Sequence, residues 1–142
     1  MRPSLSYLLL LLLCPPLWAQ EIAVVVPIKS PIQELTTHEV ANIFLSKTTR
    51  SDEGLRIKTL ELNSKEYKAL FYGKISGKSL SQLKSYWSTI IFTGKGMPPK
   101  SFDNTSGLIL ELKQNDLAIT YLPYDQVDTS MRVVYSFIVQ ND

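Results

Sequence analysis

The chain is poor in the residues that metal sites and nucleophilic active sites require. It contains one cysteine, Cys14, and one histidine, His38. A structural zinc site needs several such ligands, and a thiol enzyme needs a cysteine nucleophile. The closest carboxylate pairs, Asp52 with Glu53 and Asp125 with Asp128, fall in turn-like segments where such residues are favoured for their own sake. We therefore expect no bound metal, no cofactor and no catalysis. No residue pattern in the sequence indicates a hydrolase.

An excess of charge of one sign is also missing. The sequence has 15 Lys and Arg residues against 13 Asp and Glu residues, a formal net charge of +2, and the two signs are interspersed. Without Arg2 the balance is 14 − 13 = +1. A balance so close to zero offers no electrostatic case for nucleic acid or for an anionic membrane surface, and we expect neither as a partner.

The one long apolar run stands at the N-terminus. Arg2 precedes the unbroken leucine run Leu8–Leu13, which is followed by Pro15 and Pro16, and the first acidic residue is Glu21. A membrane-spanning helix needs about 20 apolar residues, so this run is too short to span a bilayer. Its layout is that of a secretory signal peptide.

Cleavage after Ala19 divides the chain into a signal peptide, 1–19, and a mature domain, 20–142. The alternative is lipid attachment at Cys14, but Leu13 precedes it where a lipoprotein signal has a small residue. The mature 142 − 19 = 123 residues suit one domain, without a disulfide or a stable membrane insertion. We expect this domain to be periplasmic or secreted.

Helical and strand patterns alternate along the mature chain. A continuous β-branched run at Ile22–Val26 is typical of a strand covered on both faces, as in a parallel sheet flanked by helices. Polar caps precede amphipathic segments at four places. The predicted strands are 22–26, 57–62, 117–122 and 132–139. The predicted helices follow the caps Thr36 and Ser79 and the start segments Asn63-Ser64-Lys65-Glu66 and Asp103-Asn104-Thr105-Ser106, the last of which offers several caps. The pattern predicts the α/β class: a small mixed sheet flanked by about four helices.

The segment Gly94-Lys95-Gly96 is not a phosphate-binding loop. Such a loop follows a strand and has a glycine five residues ahead of its Gly-Lys pair, whereas Thr89 stands there and a helix precedes it. The glycines suit a helix C-terminus, and Pro98 and Pro99 a stiff exit. Because carbonyl groups face that end, we expect the local dipole to repel a phosphate.

Anion binding is more plausible where helices begin, because amide groups are free there and the dipole is positive. We expect the loops after the strands to converge at the carboxyl ends of parallel strands, where ligands of open α/β sheets bind. Hydroxyls would contact the anion, and Arg50 or Lys65 would supply counter-charge. The predicted ligand-binding residues are Ser30, Thr36, Thr37, Arg50, Asn63, Ser64 and Lys65. The alternative is that these caps only stabilise their helices.

A long irregular segment carries a family resemblance. Tyr86-Trp87, then Ile91-Phe92-Thr93-Gly94-Lys95-Gly96 and Pro98-Pro99, resembles the small single-domain relatives of phosphate transporter substrate-binding proteins, in the type 2 periplasmic binding superfamily. Weaker matches in the same order are 35–36 with 43–47, 67–72 and 117–121. The resemblance implies a single-lobe periplasmic-binding-protein-like domain that binds phosphate or another small anion without catalysis. Its implied partner is a transporter or envelope protein.

The chain also departs from that family where phosphate would bind. Full-length receptors carry a Ser-Gly-Thr turn preceded by arginine and aspartate, and this chain has Glu61-Leu62-Asn63-Ser64-Lys65. Ser46 and Thr120 replace glycines of the family, and Ser51 replaces a tryptophan. Because charge-assisted contacts supply most of the affinity for phosphate, tight capture is not expected. An interaction module that has lost ligand binding therefore stays open, with an exposed patch near Tyr86, Met97 and Tyr124.

Overall fold

The structure is a computed structural model that describes residues 20–139. The predicted signal peptide, its cleavage site and Cys14 lie outside these residues. The elements are β1 (Gln20–Pro27), α1 (Thr37–Phe44), β2 (Lys58–Leu62), α2 (Lys65–Ser76), α3 (Leu80–Phe92), β3 (Lys100–Phe102), α4 (Thr105–Lys113), β4 (Ala118–Pro123) and β5 (Met131–Val139). A short 3₁₀ turn, Tyr124–Gln126, follows β4.

The five strands form one mixed sheet in the order β3-β2-β4-β1-β5. Strand β2 runs parallel to β3 and β4, while β1 runs antiparallel to both β4 and β5. The predicted α/β class, with a mixed sheet and four helices, is confirmed. Strand β3 is not among the four predicted strands.

The parallel environment expected for Ile22–Val26 is wrong. This run is buried on both faces, as its composition predicted, but both of its neighbours run in the opposite direction. Burial on both faces depends on the layers that cover the sheet and not on strand direction. Side chains from α1 and α2 cover one face, with Val24 below them, and α4 covers the other, with Val25 below it.

The helices begin where local capping signals predicted. Thr36 and Glu39 form a reciprocal capping box at α1, and Ser79 and Gln82 form another at α3. Ser64 caps α2 through the backbone N–H of Tyr67. Each cap satisfies amide groups that the first turn of a helix leaves without intrahelical partners.

Helix α3 is less buried than its apolar pattern suggested. Of the apolar residues spaced three or four apart along this helix, Leu83 is buried, whereas Leu80 and Ile91 are exposed. The helix packs on α2, so only the part of its apolar surface that faces α2 is covered. Its C-terminal turn therefore presents Ile91 and Phe92 to solvent, with exposed fractions of 50% and 92%.

Candidate functional site

The helix start at α2 is the first of the predicted anion positions. Asn63 donates its backbone N–H to the Phe102 carbonyl at 2.8 Å and its side-chain amide to Asp103 Oδ1 at 3.3 Å. Ser64 Oγ accepts the Tyr67 backbone N–H at 3.3 Å. Lys65 is exposed beside them. Polar groups here are engaged with one another, and Asp103 places a negative charge next to any incoming anion.

Ser30 and Ser64 lie at opposite ends of the strands of the sheet. Ser30 follows the C-terminus of β1, which is antiparallel to β4, whereas Ser64 follows the C-terminus of β2, which is parallel to β4. Ser30 is buried, its Oγ accepts the Ile32 N–H at 3.2 Å, and its carbonyl accepts a hydrogen bond from Arg132 at 2.9 Å. The expected convergence of these two loops on one edge is therefore wrong, because the direction of β1 reverses the end at which its loop emerges.

The start of α1 already holds a carboxylate of its own chain. Glu39 Oε2 accepts the Thr36 backbone N–H at 2.7 Å, and Thr36 Oγ1 accepts the Glu39 N–H at 3.2 Å. The Thr36 amide and hydroxyl hold the pKa of Glu39 below its usual value. The Thr37 hydroxyl lies 2.9 Å from the Tyr135 hydroxyl. The anion position at this helix start is therefore occupied by Glu39.

Arg50 sits in a different environment, at the base of a tight hairpin. It pairs with Arg56 in an isolated antiparallel bridge, and its Nη1 donates to the Gly54 carbonyl at 2.8 Å. Gly54 has a φ of +79°, which the turn requires and glycine adopts without strain. Like charges directly opposite each other across two strands are destabilising. An anion between the two guanidinium groups would remove that cost.

These arginines line a cavity of about 400 Å³ whose lining contains three cations and no carboxylate. The third cation is Lys95, from the segment after α3. The hairpin precedes β2 and this segment precedes β3, so the cavity lies at the amino-terminal edge of those parallel strands. The lining residues are Thr49, Arg50, Arg56, Ile91, Gly94, Lys95, Gly96 and Met97. We call this space the basic cavity.

The end of α3 that borders the basic cavity repels an anion less than the sequence suggested. Carbonyl oxygens in its last turn already accept hydrogen bonds, from Lys95 N–H to Ile90 at 3.0 Å and from Gly94 N–H to Ile91 at 3.1 Å. A helix C-terminus carries the equivalent of about half a negative charge. Arg50, Arg56 and Lys95 together outweigh it.

Gly96 allows the wall of the basic cavity to close on the loop after α1. A Cβ at position 96 would lie 2.7 Å from Ser46 Cβ and 3.4 Å from Ile90 Cγ2. Ser46 has a φ of +59°, and its Oγ donates to the Met97 carbonyl at 2.9 Å. The Ser46 side chain thus lies against this wall, close to Gly96 and hydrogen-bonded to the Met97 carbonyl.

We expect Gly96→Ala to lower the free energy of unfolding by about 1–3 kcal/mol, the usual cost of overpacking. The obstructing Ser46 Cβ cannot rotate away, so backbone must move. Urea denaturation followed by circular dichroism measures the change. Gly73→Ala is the matched control: position 73 is inside α2 with no atom within 4 Å of its added Cβ, and a gain of about 0.5–1 kcal/mol is expected there. Equal effects at the two sites would contradict the proposed close packing at Gly96.

A second, larger cavity of about 520 Å³ has the opposite electrostatic character. Its lining includes the carboxylates of Glu34, Glu39, Asp52 and Glu53, and Arg50 is its one charged residue of positive sign. Four acidic residues against one basic residue disfavour an anion. Arg50 borders both cavities. In the larger cavity four carboxylates oppose its positive charge, whereas in the basic cavity Arg56 and Lys95 add to it.

Sequence reasoning missed Arg56 and Lys95. A signal for Arg56 was available, since Asp52-Glu53-Gly54 was recognised as a turn and residues flanking a tight turn face each other across it. No local signal could bring Lys95 to them, because it lies about 40 residues further along the chain.

Two further properties concern residues 20–139 alone. None of the helices there has the length and apolar character needed to cross a bilayer. In the same part of the chain, the His, Asp and Glu side chains do not form a group of three or more that could hold a metal ion.

A mixed five-stranded sheet in this order, with α1 and α2 on one face and α4 on the other, matches a single lobe of a periplasmic binding protein fold. The sequence matches no family model and no curated protein. Solved structures do match. A Clostridium perfringens protein described as a phosphate ABC transporter substrate-binding protein, with bound phosphate, superposes with a TM-score of 0.64 at 18% identity, covering 82% of this chain and 45% of that one.

Two other solved structures have a similar fold. An ABC-type phosphate transport receptor from Vibrio cholerae has a TM-score of 0.55 at 15% identity, covering 81% of this chain and 45% of that chain. A protein from Planctomyces limnophilus described as phosphate binding has a TM-score of 0.61 at 15% identity, covering 81% and 40%. The chain thus spans less than half the length of these proteins. The implied resemblance to phosphate transporter binding proteins is confirmed at the level of the fold.

Proposed function

We propose that this protein is a non-catalytic, periplasmic or secreted domain that binds a small anion such as phosphate. The observation that carries the proposal is the basic cavity, where Arg50, Arg56 and Lys95 meet without a carboxylate in the lining. Planar guanidinium groups donate paired hydrogen bonds to phosphate or carboxylate oxygens. The likeness of the fold to proteins named for phosphate binding supports the same ligand class.

Binding is expected to be weak. All three cations are exposed side chains, so water and salt screen their charge. Two charge-assisted hydrogen bonds contribute about 1.5–3 kcal/mol each, and a total near 4 kcal/mol corresponds to a Kd of about 1 mM. Residues 20–139 form one lobe, and one lobe by itself does not close over a ligand as two lobes do, which fits the same range.

The test is a titration of the purified mature protein with phosphate, sulfate and acetate at low ionic strength, followed by calorimetry and amide NMR shifts. Arg56→Gln and Lys95→Gln are each expected to weaken phosphate binding about tenfold, because each removes one charge-assisted hydrogen bond to the anion. Lys65→Gln is the matched control, because it removes one exposed cation at the predicted helix-start site. A loss confined to Lys65→Gln would move the site to α2, and no binding at several millimolar would contradict anion binding altogether.

A partner-binding module is the second candidate, supported by the exposed apolar end of α3. The predicted patch itself is not continuous. Met97 precedes β3 and Tyr124 follows β4, so they lie at opposite ends of parallel strands, and Tyr86 is half-buried with its hydroxyl donating to the Leu45 carbonyl at 2.6 Å. Phe92, with 92% of its surface exposed, marks the apolar surface instead.

A photo-crosslinking residue at position 92 tests this candidate in the native envelope. A discrete crosslinked protein at position 92, absent when the probe is placed at Leu110 on α4, is the expected result. Leu110 is a fair control because it is apolar and 61% exposed. No adduct at position 92, or the same adducts at both positions, would count against a dedicated partner surface.

A further inference from the structure

We infer that the preferred ligand of the basic cavity is an amphiphilic anion: a phosphate or carboxylate group that carries an apolar substituent. This inference rests on the proposed anion binding and narrows its ligand class. The observation behind it is the mixed lining of the cavity. Beside the three cations stand Ile91 and Met97, which are 50% and 65% exposed although both are apolar.

The charged and apolar parts of the lining come from different segments of the chain. Arg50 and Arg56 belong to the hairpin before β2, whereas Ile91 is in the last turn of α3 and Met97 lies in the segment after it. Lys95 lies between the two apolar residues in the sequence. If the arginines of the hairpin bind the anionic group of a ligand, the apolar substituent of that ligand would lie beside Ile91 and Met97.

The size of the cavity leaves room for a ligand larger than an inorganic ion. Pockets for small organic molecules occupy roughly 300–1,000 Å³ and combine apolar walls with a few placed polar groups. At about 400 Å³, the basic cavity falls inside that range. A lone phosphate would leave the side chains of Ile91 and Met97 in contact with water, whereas an alkyl group would cover them.

The apolar wall is held in place without any ligand. The Met97 carbonyl accepts a hydrogen bond from the Ser46 hydroxyl, and the Ser46 side chain lies so close to Gly96 that a Cβ at position 96 would be 2.7 Å from Ser46 Cβ. Ile91 is in the last turn of α3, whose C-terminus is fixed by the Lys95 N–H to Ile90 carbonyl bond. The unbranched Met97 side chain can adapt to substituents of different shape.

The test compares inorganic phosphate with methyl, ethyl, propyl and butyl phosphate. Full burial of one methylene raises affinity about fourfold, and a half-covered site should give about twofold. We therefore expect butyl phosphate to bind about eightfold more tightly than methyl phosphate. Ile91→Ser and Met97→Ser should each flatten this dependence on chain length, measured as the ratio of the affinities for butyl and methyl phosphate.

Phe92→Ser provides the matched control. Phe92 is adjacent to Ile91 and more exposed, but it does not line the basic cavity, so this variant should keep the full chain-length dependence. Arg56→Gln should weaken every member of the series by the same factor. Thermal denaturation of each variant checks that the fold is retained.

The outcomes separate this inference from the proposed function. Equal affinities for inorganic and butyl phosphate would overturn the amphiphilic ligand and leave anion binding standing, whereas no binding of any member would overturn both. Binding to vesicles of phosphatidylglycerol but not of phosphatidylcholine would identify the source of the ligand as a lipid headgroup. Binding of soluble alkyl phosphates alone would identify a soluble organic anion, and either source supports the inference.

Discussion

Replacing Phe71 with alanine is expected to lower the free energy of unfolding by about 4 kcal/mol, a typical loss for a fully buried aromatic residue. Phe71 on α2 has no exposed surface. Its ring stacks on Tyr121 of β4 at a centroid distance of 3.8 Å and meets the edge of Phe44 of α1 at 4.8 Å. One side chain thus joins two helices to the centre of the sheet, and its removal leaves a cavity that none of the three elements can fill alone.

Urea denaturation of the mature protein, followed by circular dichroism, measures this loss. Leu110→Ala is the control, since Leu110 is exposed on α4 and a change within about 0.5 kcal/mol is expected there. Phe71→Leu should keep part of the apolar packing and destabilise the protein less than Phe71→Ala. A loss below about 1.5 kcal/mol for the alanine variant would indicate that the aromatic cluster does not hold α1, α2 and β4 together.

Lys68→Met is the second change with a large expected effect, because it removes the cation beside a buried carboxylate. Glu61 is 4% exposed, and its Oε2 accepts hydrogen bonds from Tyr121 at 3.0 Å and Tyr72 at 3.3 Å. Lys68 Nζ lies 3.3 Å from Glu61 Oε1. Breaking a fully buried ion pair costs about 3–5 kcal/mol, and since Lys68 is partly exposed we expect about 2 kcal/mol at pH 7.

The pH dependence of this loss has a definite sign. Burial raises the pKa of Glu61 above its usual value, and Lys68 opposes that rise. A folded state with a raised pKa binds the proton more tightly than the unfolded chain, so the cost of ionised Glu61 is absent at acid pH and appears as the pH rises through the folded pKa. Without Lys68 the pKa rises further. The loss of unfolding free energy caused by Lys68→Met should therefore be smaller at pH 5 than at pH 7.

Urea denaturation at both pH values tests this expectation, with Lys74→Met as the control. Lys74 lies on the same helix and is exposed, so its removal should change stability little at either pH. Glu61→Gln should remove the pH dependence that this group contributes. An equal deficit of Lys68→Met at pH 7 and pH 5 would show that the lysine stabilises by packing and not by charge.

The contacts of Glu61 also show where one departure from the phosphate receptors lies in the fold. Glu61 stands in the segment that replaces the receptors' Ser-Gly-Thr turn, but its side chain is turned into the core, where it pairs with Tyr72, Tyr121 and Lys68. Thr120, another departure, is also buried and donates to the Leu60 carbonyl at 2.8 Å. Both residues belong to the interior of the lobe and do not bear on the charge of the basic cavity.

Local signals in the sequence predicted most of the secondary structure. The capping boxes at Thr36 and Ser79 depend on residues three positions apart, and the buried run at Ile22–Val26 depends on composition alone. The short edge strand β3 could not be predicted, because three residues next to a proline pair are too few to show a periodic pattern of apolar residues. The family resemblance pointed to the correct fold because it used the order of several such segments.

The candidate site could be predicted only in part. Arg50 was named, but it was grouped with helix starts that the sheet places elsewhere, and Ser30 and Ser64 emerge at opposite edges. The near-zero net charge hid the cluster of Arg50, Arg56 and Lys95, because a sum over the chain says nothing about where charges lie.

The sequence by itself determined where helices and strands begin, which residues are apolar enough to be buried, and that the fold is of the α/β class, because these properties arise within a few residues of one another. The tertiary structure alone decided the direction of β1, the exposure of Ile91 at the end of α3 and the meeting of Arg56 with Lys95. Each of these depends on packing between residues far apart in the chain, which leaves no mark in any short stretch of sequence.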